Sequence, residues 1–199
     1  MEYVKVGKKR VFINEGNLYL ESFNINKIDD IKRIKKYSNL KAIYLEKNNI
    51  SEIENLDHII ELRKLHLEFN LINEINGLNS LVKLEDLELS GNKISIIKNL
   101  NHLRNLKELL LNNNKIKKIE GLDTLNNLEL LDLSNNLIEE ISGLENLKNL
   151  KYLNLSNNKI QKIESLENLP NLETLELKGN SILNWEKLKD IQGLKKVIK

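Results

Sequence analysis

The chain has 199 residues, of which 40% are apolar, so it can build a core large enough for one domain. Its 31 lysine and arginine residues nearly balance its 29 aspartate and glutamate residues, which argues against a nucleic-acid partner. The absence of cysteine excludes disulfides, thiolate zinc sites and cysteine nucleophiles.

Residues 1–17 predict an N-terminal capping hairpin. Val4 and Val6 alternate before Gly7, and Val11 and Ile13 alternate after it, as in two short strands joined by a glycine-containing turn. This stretch lacks the basic-then-apolar order of a signal peptide, and no apolar run reaches the roughly 20 residues of a membrane helix. We therefore expect no membrane insertion and a cytoplasmic location, with a nuclear location as the alternative.

Residues 18–193 contain eight copies of a 22-residue unit, of which the first and last are atypical. The unit reads LxxLxLxxNxIxxIxxLxxLxx. A weaker copy begins at Leu18, and the following copies begin at Leu40, Leu62, Leu84, Leu106, Leu128, Leu150 and Leu172. Units of this length stack on one another to bury a continuous core, and their atypical end copies close it.

Each unit predicts a short strand, a turn and a return segment. The alternating LxLxx stretch places its leucines inward, and the apolar spacing of about three that follows suits a 3₁₀ turn or a short helix. The asparagine lies where the chain turns, so its amide can bond to backbone groups that the turn leaves unpaired. We expect such a ladder at Asn26, Asn48, Asn70, Asn92, Asn114, Asn136, Asn158 and Asn180.

This pattern resembles the leucine-rich repeat family over about nine-tenths of the chain. The 22-residue, isoleucine-containing version resembles the class found in a regulatory subunit of type-1 protein phosphatase, and the same spacing occurs in bacterial internalins. The resemblance implies an α/β repeat fold: a right-handed horseshoe solenoid with a concave parallel β-sheet and a convex side of 3₁₀ or short helices.

Residues 172–199 predict a C-terminal capping unit that completes the single domain. The segment that begins at Asn184 reads as a short amphipathic closing helix, with Trp185, Leu188, Ile191 and Leu194 on its inner side.

The sequence offers little for catalysis or cofactor binding. His58 and His102 lie on the outer side of their units, and His66 is the one histidine expected on the concave face. No nucleophile, glycine-rich loop or cofactor motif accompanies it, so we expect no enzyme and no cofactor, and an enzyme centred on His66 is a remote alternative. Calcium at Asp86, Glu88, Glu108 and Asp132 is a weak alternative to having no metal, since no dedicated loop is visible.

Alternation points the third, fifth and seventh residues of each unit outward on the concave face, and these positions differ between units. From Leu40 onward they hold seven carboxylates and two lysines, a net charge of −5, in a chain of net charge +2. We expect the protein-binding surface to comprise Tyr44, Glu46, His66, Glu68, Phe69, Asp86, Glu88, Glu108, Leu110, Leu130, Asp132, Tyr152, Asn154 and Glu176.

These features predict a monomeric, non-catalytic scaffold that binds a protein partner with a basic patch. The phosphatase-regulator resemblance implies one version, in which the partner is a type-1-like phosphatase catalytic subunit. An internalin-like surface or secreted adhesin is the alternative.

Overall fold

Short strands of a computed structural model form most of the regular structure, and the structure describes residues 2–199, apart from the side chain of Asp190. The strands are β1 (Tyr3–Val6), β2 (Lys9–Phe12), β3 (Asn17–Tyr19), β4 (Ile31–Lys32), β5 (Ala42–Tyr44), β6 (Lys64–His66), β7 (Asp86–Glu88), β8 (Glu108–Leu110), β9 (Leu130–Asp132), β10 (Tyr152–Asn154), β11 (Thr174–Glu176) and β12 (Lys196–Ile198). Nine of them form one parallel sheet, in the order β12-β11-β10-β9-β8-β7-β6-β5-β3. Neighbouring regular strands pair in a 22-residue register, with Leu65 opposite Leu87, so the repeat predicted from the sequence is confirmed.

The return segments consist mainly of turns. Within residues 2–199 the helices are 3₁₀ segments at Ile28–Asp30, Ile34–Lys36 and Glu186–Asp190, all in the end units. In between, the apolar residues spaced by three form i→i+3 bonds, such as the one from the Ile59 N–H to the Leu56 carbonyl at 2.9 Å. None of these helices is long and apolar enough to cross a bilayer.

An asparagine ladder runs through the regular units. The Asn136 amide donates to the carbonyls of Leu111, Leu133 and Ser134 at 3.0–3.2 Å, and its oxygen accepts the Ile116 N–H at 3.0 Å. Because these groups are buried, leaving them unpaired would cost about 1–3 kcal/mol each. The same bonding pattern recurs at Asn70, Asn92, Asn114, Asn158 and, in a half-buried setting, Asn180.

The first unit departs from the register that the sequence predicted. Leu18 pairs with Ile43, a separation of 25 residues, so the unit is three residues longer than its successors. Asn26 is exposed, contrary to its predicted place in the ladder. The Asn48 oxygen instead accepts the backbone N–H groups of Phe23 and Ile25 at 3.0 Å. The shift has a consequence for the surface, because it places Tyr19 beside Tyr44.

The N-terminal hairpin is anchored to the first unit by one tyrosine. Strands β1 and β2 pair antiparallel, and β1 also pairs with β4. The buried Tyr37 hydroxyl accepts the Tyr3 N–H at 3.2 Å and donates to the Tyr3 carbonyl at 3.0 Å. The hairpin thereby covers the end of the core at Val4, which is fully buried.

The C-terminal closing helix predicted from the sequence is only partly present. A five-residue 3₁₀ helix covers Glu186–Asp190, and the chain then forms β12, which pairs in parallel with β11. Leu194 and Val197 fall 22 residues after Leu172 and Leu175, so a ninth copy of the strand pattern begins here. The predicted helix was wrong for Lys196–Ile198, because the strand pattern of the repeat continues there.

Candidate protein-binding surface

The concave face is the sheet surface formed by the third, fifth and seventh residues of the units. Most of the predicted surface residues there are half-buried, because side chains on strands about 4.8 Å apart cover one another. Asp86 is buried, with 8% of its surface exposed. Glu108, the residue opposite it on β8, is exposed.

Three aromatic rings follow one another across β3, β5 and β6. Tyr19 stacks on Tyr44 with ring centroids 4.7 Å apart, and Tyr44 meets the His66 ring edge-on at 4.9 Å. Tyr19 is about half exposed, at 51%. Tyr19 was not among the predicted surface residues, because the repeat pattern places the first unit three residues out of register. The alternation of Tyr19 with the buried Leu18 and Leu20 is the sequence signal for its outward position.

His66 and Lys64 both bond to the buried carboxylate of Asp86. The His66 Nε2 lies 3.1 Å from Asp86 Oδ2, and the Lys64 ammonium lies 3.2 Å from the same oxygen. The hydrogen bond to Asp86 raises the pKa of His66, although burial opposes it. Burial alone would raise the pKa of Asp86, but the bonds and charges of His66 and Lys64 hold it below its usual value. These contacts oppose the repulsion between Asp86 and Glu108, which carry like charges at paired positions of adjacent strands.

Three glutamates, Glu46, Glu68 and Glu88, also lie near His66. Burial, together with the negative charges of Glu88 and Glu46, raises the pKa of Glu68 to about 7. Burial likewise raises the pKa of Glu88. One carboxylate oxygen each of Glu46 and Glu68, Oε2, is buried and has no hydrogen-bond partner among residues 2–199. Unpaired buried carboxylate oxygens are costly, so this cluster is poised to accept a cation or a hydrogen-bond donor.

Phe69 borders this cluster in an unfavourable backbone conformation. Its φ is +55°, in the left-handed region, where the later units hold glycine or asparagine, as at Gly91 and Asn113, and the preceding unit holds Lys47. Its ring is 55% exposed and lies against Gly91, where an added Cβ would come within 2.6 Å of it. The neighbouring Leu71 is also exposed. Strain of this kind in an exposed aromatic residue is a feature of functional sites.

The polar side chains on strands β9 to β11 satisfy one another. Asp132 accepts the Ser134 N–H at 2.8 Å and the Asn154 amide at 3.3 Å. Tyr152 donates to Glu176 at 2.8 Å, and burial together with this bond raises the pKa of Tyr152 to about 12. Leu130 lies directly between Glu108 and Tyr152 in the sheet, and Leu110 pairs with Asp132.

Metal-ligand geometry arises at residues other than those considered from the sequence. Among residues 2–199, Glu46, His66 and Glu68 are the histidine and acidic side chains that converge closely enough to share one ion. Asp86, Glu88, Glu108 and Asp132, the weak calcium candidates, do not form such a group. The second imidazole nitrogen of His66, Nδ1, lies 3.7 Å from a carboxylate oxygen of Glu46.

Comparison with known proteins supports the fold. Residues 104–146 and 148–196 match the family of leucine-rich repeats in two copies. Internalin C2 from Listeria monocytogenes str. 4b F2365 is 29% identical with a TM-score of 0.84, over 92% of this chain and 79% of that one. Internalin InlF from the same strain is 28% identical with a TM-score of 0.78, over 87% of this chain but only 51% of that one. No curated protein sequence matches the chain.

The register, the asparagine ladder and these similarities agree with one another. Folds of this kind are typically non-catalytic scaffolds for protein interactions. The chain therefore has the parallel-sheet solenoid fold of the two internalin structures, and its residues 104–146 and 148–196 match leucine-rich repeats.

Proposed function

We propose that this protein is a non-catalytic scaffold that binds a protein partner on its concave face, chiefly through the strands β3 and β5–β7. We call the face of these strands, with Glu46, Glu68 and Phe69 at its border, the N-terminal half. The observation that carries the proposal is the aromatic run from Tyr19 to His66 beside the half-buried Glu46 and Glu68, whose Oε2 atoms have no hydrogen-bond partner among residues 2–199. Unpaired buried oxygens cost the folded protein stability, and a partner that donates to them offsets that cost.

The chemistry of this half favours a partner with arginine or lysine side chains. A guanidinium can stack on Tyr19 or Tyr44 and donate to the oxygens of Glu46 or Glu68. Phe69 and Leu71 add exposed apolar surface of the kind that anchors protein interfaces. Nine strands at about 4.8 Å give a face roughly 38 Å long, enough for a partner surface of about 800 Å².

An internalin-like role at a cell surface is the second candidate, and the two internalin structures favour it. Regulation of a type-1-like phosphatase rests only on the repeat spacing, which internalins share. Fractionation of the source cells separates a cytoplasmic from a surface protein, and assay of phosphatase activity in captured material tests the regulatory version directly.

The proposal is tested by capture of partners from the source cells. Wild type is compared with a Tyr44→Ala, Phe69→Ala double variant and with a Val82→Ala control that changes an exposed residue elsewhere. We expect a protein that wild type and Val82→Ala retain and the double variant loses, with circular dichroism showing that all three are folded. Equal retention by all three would contradict the proposal.

A further inference from the structure

We propose that Glu46, His66 and Glu68 form a binding site for one divalent transition-metal ion of the zinc class. Each residue offers one ligand atom, and the three atoms lie within 4.8 Å of one another on the concave face. The site would use glutamates to which the protein-binding proposal gives a different ligand, a partner's cationic side chain, and it does not depend on that proposal.

The backbone holds the three ligands on neighbouring turns of the solenoid. The Leu45 N–H bonds to the His66 carbonyl at 2.9 Å, and the Lys47 N–H bonds to the Glu68 carbonyl at 3.0 Å. A tetrahedral ion with ligand bonds of about 2.0–2.2 Å separates its ligand atoms by roughly 3.4 Å. Rotation of the flexible glutamate side chains closes the remaining gap without any movement of the strands.

The outer contacts of His66 suit a metal ligand. Nε2 lies 3.1 Å from Asp86, a carboxylate that Lys64 also holds, whereas Nδ1 faces Glu46. In the tautomer that donates from Nε2, the lone pair of Nδ1 therefore points toward the two glutamates. A carboxylate that fixes the second nitrogen in this way is the usual support for a metal-bound histidine.

The glutamates supply a second, independent reason. The Oε2 atoms of Glu46 and Glu68 are buried without a donor among residues 2–199. A divalent cation would satisfy both oxygens, and two carboxylates would balance its charge beside a neutral imidazole.

The donor set favours zinc over calcium. Calcium takes six to eight oxygen ligands, whereas zinc accepts two carboxylates and one imidazole and keeps a water in the fourth position. The competing occupant is a lysine or arginine side chain of a partner, which would leave the isolated protein without metal affinity.

Calorimetric titration of the tag-free full chain with zinc chloride tests the site. We expect one zinc ion per chain and at least a 10-fold loss of affinity in His66→Gln and in Glu68→Gln. Asp86→Asn should cost about 10-fold, as loss of an outer contact does. His102→Gln is the control, because His102 is exposed in a return segment and lies outside the ligand group.

Bound cobalt distinguishes a metal ligand from a residue that only supports the fold, because its visible absorption depends on its ligands. Bound to wild type in place of zinc, it should give the strong visible absorption of a four-coordinate ion, and His66→Gln should abolish that absorption. Zinc binding that survives His66→Gln, or no binding by wild type, would overturn the proposal. Either result would leave partner binding on the concave face untouched.

Discussion

The two halves of the concave face are built on the same repeat but treat their polar side chains differently. On β9 to β11, Asp132, Asn154, Tyr152 and Glu176 bond to one another or to backbone N–H groups. In the N-terminal half, burial and like charges raise the pKa values of glutamates, and two carboxylate oxygens have no hydrogen-bond partner within the described residues 2–199.

This difference separates the scaffold from the surface it carries. The leucines and asparagines are nearly identical in both halves, so they account for the fold but not for the contrast. Among residues 2–199, the unpaired buried side-chain atoms of the concave face are carboxylate oxygens in the N-terminal half and the Ser156 hydroxyl in the other half. An external cation or donor gains most from the unpaired carboxylates.

Removal of a core leucine should cost the same in either half. Leu65→Ala and Leu131→Ala change equivalent, fully buried residues, and each should lower the free energy of unfolding by about 2–5 kcal/mol. Urea denaturation measures both. A difference between them much larger than about 1 kcal/mol would show that the scaffold itself differs between the halves.

The asparagine ladder should begin at Asn48. Asn48→Ala leaves the Phe23 and Ile25 N–H groups and the Leu20 carbonyl without partners, and should cost about 2–4 kcal/mol. Asn26→Ala is the matched control and should change stability by less than about 0.5 kcal/mol, because Asn26 is exposed. Similar losses of stability in both variants would contradict this account and support the predicted register, in which Asn26 belongs to the ladder.

Glu68→Gln should stabilise the protein at pH 8 but not at pH 4. Burial and the nearby carboxylates raise the pKa of Glu68 to about 7 in the folded protein, against 4.5 in the unfolded chain. The folded protein therefore loses stability as the pH rises from 4.5 to 7, because Glu68 ionises less readily in it than in the unfolded chain. The full shift corresponds to about 3 kcal/mol, which partial solvent exposure reduces to about 1–2 kcal/mol.

Denaturation at both pH values in chelator-containing buffer measures this effect. Asp132→Asn, in the other half, is the comparison: it weakens the acceptor of the Ser134 N–H and should destabilise. A Glu68→Gln variant that is less stable than wild type at pH 8 would show that the carboxylate is satisfied.

Phe69→Asn should produce the smallest change, a gain in stability of about 0.5–1 kcal/mol. The left-handed backbone costs a bulky residue about 1–2 kcal/mol, whereas asparagine tolerates it. Loss of the contact between the ring and Gly91 offsets part of this gain in stability. Thermal denaturation gives the sign. A stability gain accompanied by weaker partner binding would identify Phe69 as a residue kept for function.

The sequence predicted the scaffold well because its period is strict. From Leu40 to Leu177 every core leucine and every ladder asparagine has the spacing that its position requires. The prediction failed where the period changes, at the longer first unit, and where a charged stretch hides the pattern, at β12. Both failures have local causes: three additional residues before Leu40, and Lys199 in the place of an inward leucine.

The candidate site was predictable only in part. Alternation places Tyr44, Glu46, His66 and Glu68 on one face, and the structure brings them together there. The burial of Asp86, its bonds to Lys64 and His66, and the unpaired glutamate oxygens depend on side-chain packing across strands, which a repeat pattern does not encode.

The central claim, that binding concentrates in the N-terminal half, is tested most directly by one affinity comparison. The captured partner is titrated against wild type, against Tyr44→Ala with Phe69→Ala, and against Leu130→Asp with Tyr152→Ala. We predict at least a 10-fold loss, or about 1.4 kcal/mol, for the first pair and less than about threefold for the second. An equal loss in both, or a larger loss in the second, would contradict the account.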